Sequence, residues 1–408
     1  MEHLLYLAHR IPYPPNKGDK IRSYHLLRHL SSRYQVHLGT FIDDPDDWRH
    51  VDTVKGLCGE TYFGRLDPRM ARLRSLTALA GGRPLSLDYY RDAGLQKWVD
   101  RLCAKLPVSR VLVFSSAMAQ FVRPEQYARR VIDFVDIDSD KWTQYAQQKS
   151  WPMNRVYARE GRLLLRYERR VARDFDASLF VSPQEAAMFA GMAPESAARV
   201  ASFSNGVDSA YFSPHHDFDN PYGDGAPVMV FTGAMDYWPN VDAVQWFAKD
   251  ILPGIQARHA GARFYIVGSR PAREVQELAA LPGVHVTGTV PDVRPYIAHA
   301  HLAVAPLRIA RGIQNKVLEA MAMAKRVLVS PQALEGIAAT PGHELLLASD
   351  EASFVEEACA ALTDGNAEME RAARARVEAS YNWDVNMARV HALLEIPPEP
   401  IKSASPCY

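Results

Sequence analysis

Cysteine is scarce. There are four, Cys58, Cys103, Cys359 and Cys407, and no two stand at CxxC spacing. That excludes a zinc ribbon and a disulfide framework as organising features, and a reducing cytoplasm is the expected compartment. Excess charge is also lacking: Lys+Arg and Asp+Glu both number 47. A general nucleic-acid binder would be basic, so no nucleic-acid partner is expected. Nowhere do about 18 apolar residues run together, so no membrane-spanning helix is expected. The opening MEHLLYLAHRIPYPP carries an apolar run too short for a signal peptide. GxGxxG is missing as well, which argues against a dinucleotide cofactor.

What is present is strand–helix alternation over 408 residues, 48% of them hydrophobic, enough for two or more domains with sizeable cores. The first half offers LLYLAH, VHLGTFI, VLVFSS, VIDFVD and ASLFVS as strands. The second offers PVMVFTG, RFYIVG, VHVTGTV, LAVAPL, RVLVSP and ELLLAS, separated by helical patterns such as VDAVQWFAKDILPGIQAR and GIQNKVLEAMAM. Apolar strands alternating with helices predict two doubly wound parallel-sheet, Rossmann-like α/β domains facing a cleft. The Pro-, Gly-, Asp- and Asn-rich stretch from Val207 to Ala226 marks the break between them. Ligands of such sheets bind beyond the carboxyl ends of the strands, so the strand-end loops are where function is sought.

The loop after LAVAPL is the most informative. In RIARGIQNKVLEAMA, Arg308, Arg311 and Lys316 surround Gly312 at the mouth of a helix, and Glu319 follows Lys316 by three residues on one helix face. Helix amides and fixed cations suit a diphosphate, Gly312 permits close backbone approach, and Glu319 would accept from the two hydroxyls of a ribose. The alternative is a capped surface helix with an internal ion pair. The loop after the first strand, HRIPYPPNKGDKIRSYHLLRHL, sets Gly18 among Lys17, Lys20 and Arg22, a weaker phosphate pattern that is also an ordinary turn with solvated charges.

In VIDFVDIDSDKW, Asp133, Asp136, Asp138 and Asp140 cluster at a strand end. Asp136 and Asp138 are candidates to orient sugar hydroxyls or take an acceptor proton; helix capping is the alternative. No histidine lies within the cluster, and no metal site is assigned. Gly233 in FTGAMDYWPN would let the backbone approach a phosphate, with Trp238 and Asn240 read as packing and turn residues. Gly288 and Val290 in HVTGTVPDV would present backbone groups to a nucleobase edge. Arginines 155, 159, 162, 166, 169 and 173 fall on one face of a helix, and RLDPRMARLRSLTALAGGRP is basic and apolar. Either would suit peripheral contact with the inner face of a membrane, or simply a solvated surface.

Taken together and in order, NGVDSAYFSP, VTGTVPDVRPYIAHAHLAVAPL and KVLEAMAMAKRVLVSP resemble the family 4 glycosyltransferases of the GT-B fold. RIPYPPNKGDKIRSYHLLRHL, DFVDIDSDKW and FTGAMDYWPNVDAVQWF narrow the resemblance to bacterial sugar transferases associated with PEP-CTERM/exosortase exopolysaccharide systems, across nearly the whole chain. The resemblance implies an acceptor-binding domain over 1–207 and a nucleotide-sugar-binding domain over 208–380. It further implies a helix over 381–396 crossing back to the first domain; the proline-rich tail 397–408 is expected to be disordered. It implies a retaining, metal-independent transfer from a UDP- or GDP-sugar to a lipid-linked or growing saccharide, with no cofactor besides the donor. Glu319 corresponds to the family's ribose-binding glutamate, Gly233 to the glycine of the donor domain's first loop, and Gly18 to that of the first N-terminal loop.

Two departures stand out. Family members commonly carry two glutamates eight positions apart, and the first of those positions is Arg311 here. The common Arg and Lys after the donor domain's first strand are replaced by MDYWPN, leaving Arg308, Arg311 and Lys316 to supply positive charge. A nucleotide-sugar epimerase of the same architecture and a non-catalytic sugar-nucleotide-binding subunit are the competing readings.

Overall fold

The structure, a computed structural model, describes residues 1–395 apart from Asn16, Asp224 and Arg311. Arg311 and the tail 397–408, both assigned roles from sequence, therefore lie outside the described residues. The described residues form two compact units: Met1–Phe203 with residues 387–395, and Ser204–Asn386.

The first unit is built on seven parallel strands, β1 His3–Ala8, β2 Gln35–Ile42, β3 Thr61–Arg65, β4 Val108–Phe114, β5 Arg129–Val135, β6 Ala177–Phe180 and β7 Val200–Ser202. They lie in the order β3-β2-β1-β4-β5-β6-β7. The order reverses between β1 and β4, which is where such a sheet opens toward a ligand. Central strands are covered on both faces, so they read as unbroken apolar runs; Leu4 to Ala8 are all fully buried. The edge strands β3 and β7 escape a reading of apolar runs. TYFGR and VAS are short, carry polar or small residues, and are mostly half-buried because less covers an edge. Phe41, Val111, Val113, Phe134, Phe180 and Phe189 anchor the core on one face.

The helix Trp383–Glu395 ends in this unit. Arg129 Nε donates to the Leu393 carbonyl at 2.6 Å and Arg110 Nε to that of Leu394 at 3.1 Å. Carbonyls of the last turn, which have no partner within the helix, are thereby satisfied from the early residues of β5 and β4.

The second unit holds six parallel strands, β8 Val228–Thr232, β9 Arg263–Val267, β10 Val284–Gly288, β11 Leu302–Ala305, β12 Val327–Val329 and β13 Leu346–Leu347, in the order β10-β9-β8-β11-β12-β13. Its reversal lies between β8 and β11. The segment VDAVQWFAKDILPGIQAR, which reads as one helix, is interrupted. Helix Trp238–Trp246 gives way to a wider turn over Phe247–Ile251 before helix Leu252–Arg258. Pro253 supplies the reason: it has no N–H to donate, and its ring crowds the carbonyl four residues back. Among the described residues no helix is long and apolar enough to cross a membrane.

Candidate active site

In the second unit the three strands β8, β9 and β10 end beside one another, and each terminates at a glycine. Gly233 N donates to the Val267 carbonyl at 3.1 Å, and Gly268 N to the Gly288 carbonyl at 3.3 Å. Met235 N reaches the Ser269 carbonyl at 2.8 Å. Gly288, with φ of 68°, turns the chain in the left-handed region toward half-buried Val290. Gly268 matters most for packing, because a Cβ placed there would lie 1.6 Å from the Gly233 carbonyl oxygen. Gly268→Ala is expected to push the 233–236 loop away from β9. Melting temperature should fall, and if the loop meets a nucleoside diphosphate as its sequence predicts, that affinity should also fall by roughly tenfold or more. Calorimetric titration at a temperature where the variant is folded checks this; unchanged affinity would detach the loop from donor binding.

Across the sheet reversal, β11 leads through Leu307 and Gly312 into the helix Asn315–Ala322. Gly312 has φ of 65°, which an L side chain adopts only with strain. Lys316 and Glu319 sit in the first turns of this helix. Lys316 Nζ donates to Asn240 Oδ1 at 2.6 Å and stands 4.4 Å above the Phe231 ring. Asn240 is held in turn, its amide donating to the Ala234 carbonyl at 2.8 Å. A Cβ on Gly233 would meet Asn240 Nδ2 at 2.9 Å and Lys316 Cε at 3.5 Å, so the absence of a side chain at 233 makes room for this pair. Asn240, read from sequence as a turn residue, is thus the partner of the lysine; its place on the first helix after β8 is the signal that was available.

Lys316 and Glu319 are both out of balance with their surroundings. Desolvation pulls the Lys316 ammonium down to about 7, against the pull of Glu319. Desolvation pushes the Glu319 carboxyl up to about 7, against the pull of Lys316. No described residue hydrogen-bonds the Glu319 carboxyl. A poised acid and a poised cation on one helix face, at the strand-end reversal, are where perturbed ionisation signals a site rather than a fold.

Arg308 departs from its expected place. Its Nε donates to Asp242 Oδ2 at 2.9 Å, its Nη2 bonds Asp242 Oδ1, and its guanidinium lies 5.3 Å from the Trp246 ring. It is turned onto helix Trp238–Trp246 instead of joining Lys316. Of the three cations read at the mouth of the helix, Lys316 is the one that the described structure brings beside Gly233.

The first unit carries its own strand-end cluster. His9 and Arg10 follow β1, and Asp19 lies in the helix Gly18–Ser31 that comes next. Arg10 Nη1 donates to Asp19 Oδ2 at 2.7 Å, and Arg10 also grips Asp43 through Nε at 3.0 Å and Nη2 at 2.7 Å. His9 Nε2 lies 3.4 Å from Asp19, and its ring stacks on Phe114 with centroids 5.7 Å apart. Burial opposes ionisation of Asp19, but the His9 hydrogen bond and the charges of His9 and Arg10 outweigh it and hold the carboxyl below its usual range. Next to this cluster Ser115, which follows β4, has φ of 79°, and Val135, which ends β5, has φ of 70°. Left-handed backbone at a β-branched residue is strained and concentrates where a site is being shaped. Asp136 and Asp138 both reach Lys141, at 2.7 and 3.3 Å. Burial opposes the Lys141 charge, and the two carboxylates overcome it and raise its pKa above the usual lysine value.

Two charges of the first loop turn inward. Lys20 pairs with Asp47 at 2.6 Å and Arg22 with Asp133 at 2.6 Å, all four buried. The phosphate pattern read around Gly18 therefore supplies internal ion pairs. Asp133 leaves the acid cluster for the same reason. The sequence assigned no role to His9, Arg10, Asp19 or Ser115, although His9, Arg10 and Ser115 follow β1 and β4, the strands that flank the reversal. Among the described residues no group of three or more His, Cys, Asp or Glu side chains is arranged to hold a metal ion.

Residues 226–364 match the family described as "Glycosyl transferases group 1". No curated protein matches the chain in sequence. In structure the chain is similar to sucrose-phosphate synthase from Thermosynechococcus elongatus, at a TM-score of 0.69 and 16% identity over 96% of this chain and 98% of that one. It is also similar to WaaG, a glycosyltransferase involved in lipopolysaccharide biosynthesis, at 0.65 and 14% identity over 96% and 100% of the two chains. Anabaena Alr3699/HepE, in a complex with UDP, superposes at 0.64 and 14% identity over 97% and 99%. Residues 226–364 thus carry a group 1 glycosyltransferase domain, and the chain as a whole has the two parallel-sheet, Rossmann-like units of the GT-B fold.

Proposed function

We propose that the protein transfers a sugar, with retention and without a metal ion, from a UDP- or GDP-sugar to a lipid-linked or growing saccharide in bacterial exopolysaccharide assembly at the cytoplasmic side of the membrane. The observation that carries this reading is the Lys316–Glu319 pair beside Gly233, in the domain that matches group 1 glycosyltransferases. The complex of the Anabaena neighbour with UDP supports a nucleotide donor. Lys316 holds the diphosphate at the helix mouth and Glu319 accepts from the ribose hydroxyls. The backbone after Gly288, through Val290, faces the base. Gly312 lets the loop approach the phosphates. As the bond from the sugar's anomeric carbon to the diphosphate oxygen breaks, charge grows on that oxygen. A fixed cation stabilises it most at the transition state. In the first unit, Asp136 and Asp138, oriented by Lys141, hold acceptor hydroxyls.

The test is nucleoside-diphosphate release from a panel of UDP- and GDP-sugars, with and without a bacterial lipid extract. Release from one donor that rises with the extract is the expected result. A changed sugar with no release would mean epimerisation. Nucleotide binding with no turnover under any condition would mean a non-catalytic subunit.

Ionisation offers a second test. A bound diphosphate favours protonated Lys316, whose pKa of about 7 makes affinity fall as pH rises from about 6 to 8. Glu319, also at about 7, accepts hydroxyl hydrogen bonds better as it ionises, and so works in the opposite direction. Glu319→Gln is expected to bind nucleoside diphosphate roughly tenfold more weakly at pH 8, and to lose affinity with pH more steeply than the wild type. Calorimetric titration of both proteins at pH 6, 7 and 8 cancels the ligand's own ionisation. Parallel slopes would remove Glu319 from the site.

A further inference from the structure

The helices Pro68–Ser75 and Ala78–Gly81 of the first unit, with the short link between them, are packed inside out. The positions they bury are small: Ala71, Ser75 and Ala78 are 2%, 8% and 1% exposed. The positions they turn to water are large: Met70, Leu73, Leu76 and Leu79 are 63%, 61%, 54% and 40% exposed. An ordinary surface helix does the reverse. Nor is this a slack loop. Arg159 Nη2 donates to the Ala78 and Leu79 carbonyls at 2.8 and 3.2 Å, and Arg74 clamps the Asp88 carbonyl at 2.9 Å. Glu160 fixes the following turn by accepting from Leu85 N at 2.6 Å and Ser86 N at 2.9 Å. The apolar ridge is held rigidly outward.

Its charge is predominantly positive. From Arg65 to Pro84 there are five arginines and one acid, Asp67. Asp67 is already used as a helix cap, accepting from Arg69 N and Met70 N. Arg65, Arg69 and Arg72 are exposed, with no acidic partner among the described residues. Rows of exposed leucine flanked by unpaired arginine suit a surface that is apolar beneath and anionic on top. A second copy of the chain is a poor occupant, because a symmetric contact would set these arginines against themselves. The basic helix Met153–Asp174 contributes in a way its arginine stripe did not suggest. Arg159 is spent on holding the ridge and Arg169 pairs with Glu195 at 2.8 Å, while Arg155, Arg162 and Arg166 stay exposed.

We propose that Met70, Leu73, Leu76 and Leu79, with Arg65, Arg69 and Arg72, form a docking surface for an anionic phospholipid bilayer. The apolar side chains enter the acyl boundary and the guanidiniums meet the phosphates. The surface goes beyond the donor reading of the second unit and rests on no part of it.

Flotation of the full chain with vesicles of phosphatidylcholine, alone or with phosphatidylglycerol, tests this. The wild type is expected to float with the anionic vesicles and not with the neutral ones. Leu73→Glu/Leu76→Glu and Arg69→Gln/Arg72→Gln should each reduce partitioning by roughly tenfold or more, with unchanged melting temperature and unchanged nucleotide affinity. Failure of the wild type to float would overturn the proposal. So would flotation insensitive to Leu73→Glu/Leu76→Glu, or a dimer that this variant dissociates while vesicles bind neither protein.

Discussion

Lys316→Met is expected to lower turnover by roughly 10²–10³-fold, equivalent to about 2.7–4 kcal/mol of transition-state stabilisation, while leaving the melting temperature unchanged or raised. The two halves of that result have one cause. Lys316 sits against Phe231 with a single hydrogen bond to Asn240, so its charge is poorly compensated and its pKa falls to about 7. A lysine whose folded pKa lies below its unfolded value of about 10.4 costs stability whenever it is protonated. The cost is fully present below pH 7 and fades as pH rises toward the unfolded value. Replacing the ammonium by a thioether of similar length removes that cost, so any gain in melting temperature should be largest near pH 6 and vanish above pH 10. On the proposed function, the same replacement also removes the cation that meets the leaving diphosphate. Single-turnover rates and thermal melts at both pH values check the pair of expectations. Loss of rate in proportion to loss of stability would instead make Lys316 a structural residue.

Asn240 explains why this cost could not be read from the sequence. A lysine at the mouth of a helix looks solvated, and nothing in KVLEAMA says how deep its side chain lies. Depth depends on Phe231 and Asn240, 85 and 76 positions earlier, which fold against it only because β8 and β11 are neighbours in the sheet. The order of elements was legible, since fully covered strands must be apolar throughout. The strand-end rule then directed attention to the loops after β8, β10 and β11. What the loops do with their charges was not legible. Lys20, Arg22 and Arg308 look the same in sequence as Lys316, and they differ only in whether an acid from a distant element reaches them. Asp47, Asp133 and Asp242 do so. Gly268 was invisible for the same reason: its importance lies in the 1.6 Å that separates a hypothetical Cβ from the Gly233 carbonyl oxygen, on a neighbouring strand end.

The Arg22–Asp133 pair leads to the largest expected loss of stability. Both side chains are buried, Arg22 Nε donates to Asp133 Oδ2 at 2.6 Å, and Nη2 donates to Oδ1 at 3.0 Å. The guanidinium also lies 4.0 Å from the Phe203 ring. Asp133→Ala leaves that cation buried without its counter-ion, and a loss of about 3–5 kcal/mol is expected in denaturant unfolding. Arg22→Met/Asp133→Leu removes both charges and fills most of their volume. It should recover most of the loss, because the cost of Asp133→Ala comes from the stranded arginine and not from the missing bond alone. The double variant also separates fold from chemistry. If Asp133 serves only the fold, nucleoside-diphosphate affinity and turnover per folded molecule will match the wild type. If recovery of stability leaves turnover low, Asp133 belongs with Asp136 and Asp138 at the acceptor after all.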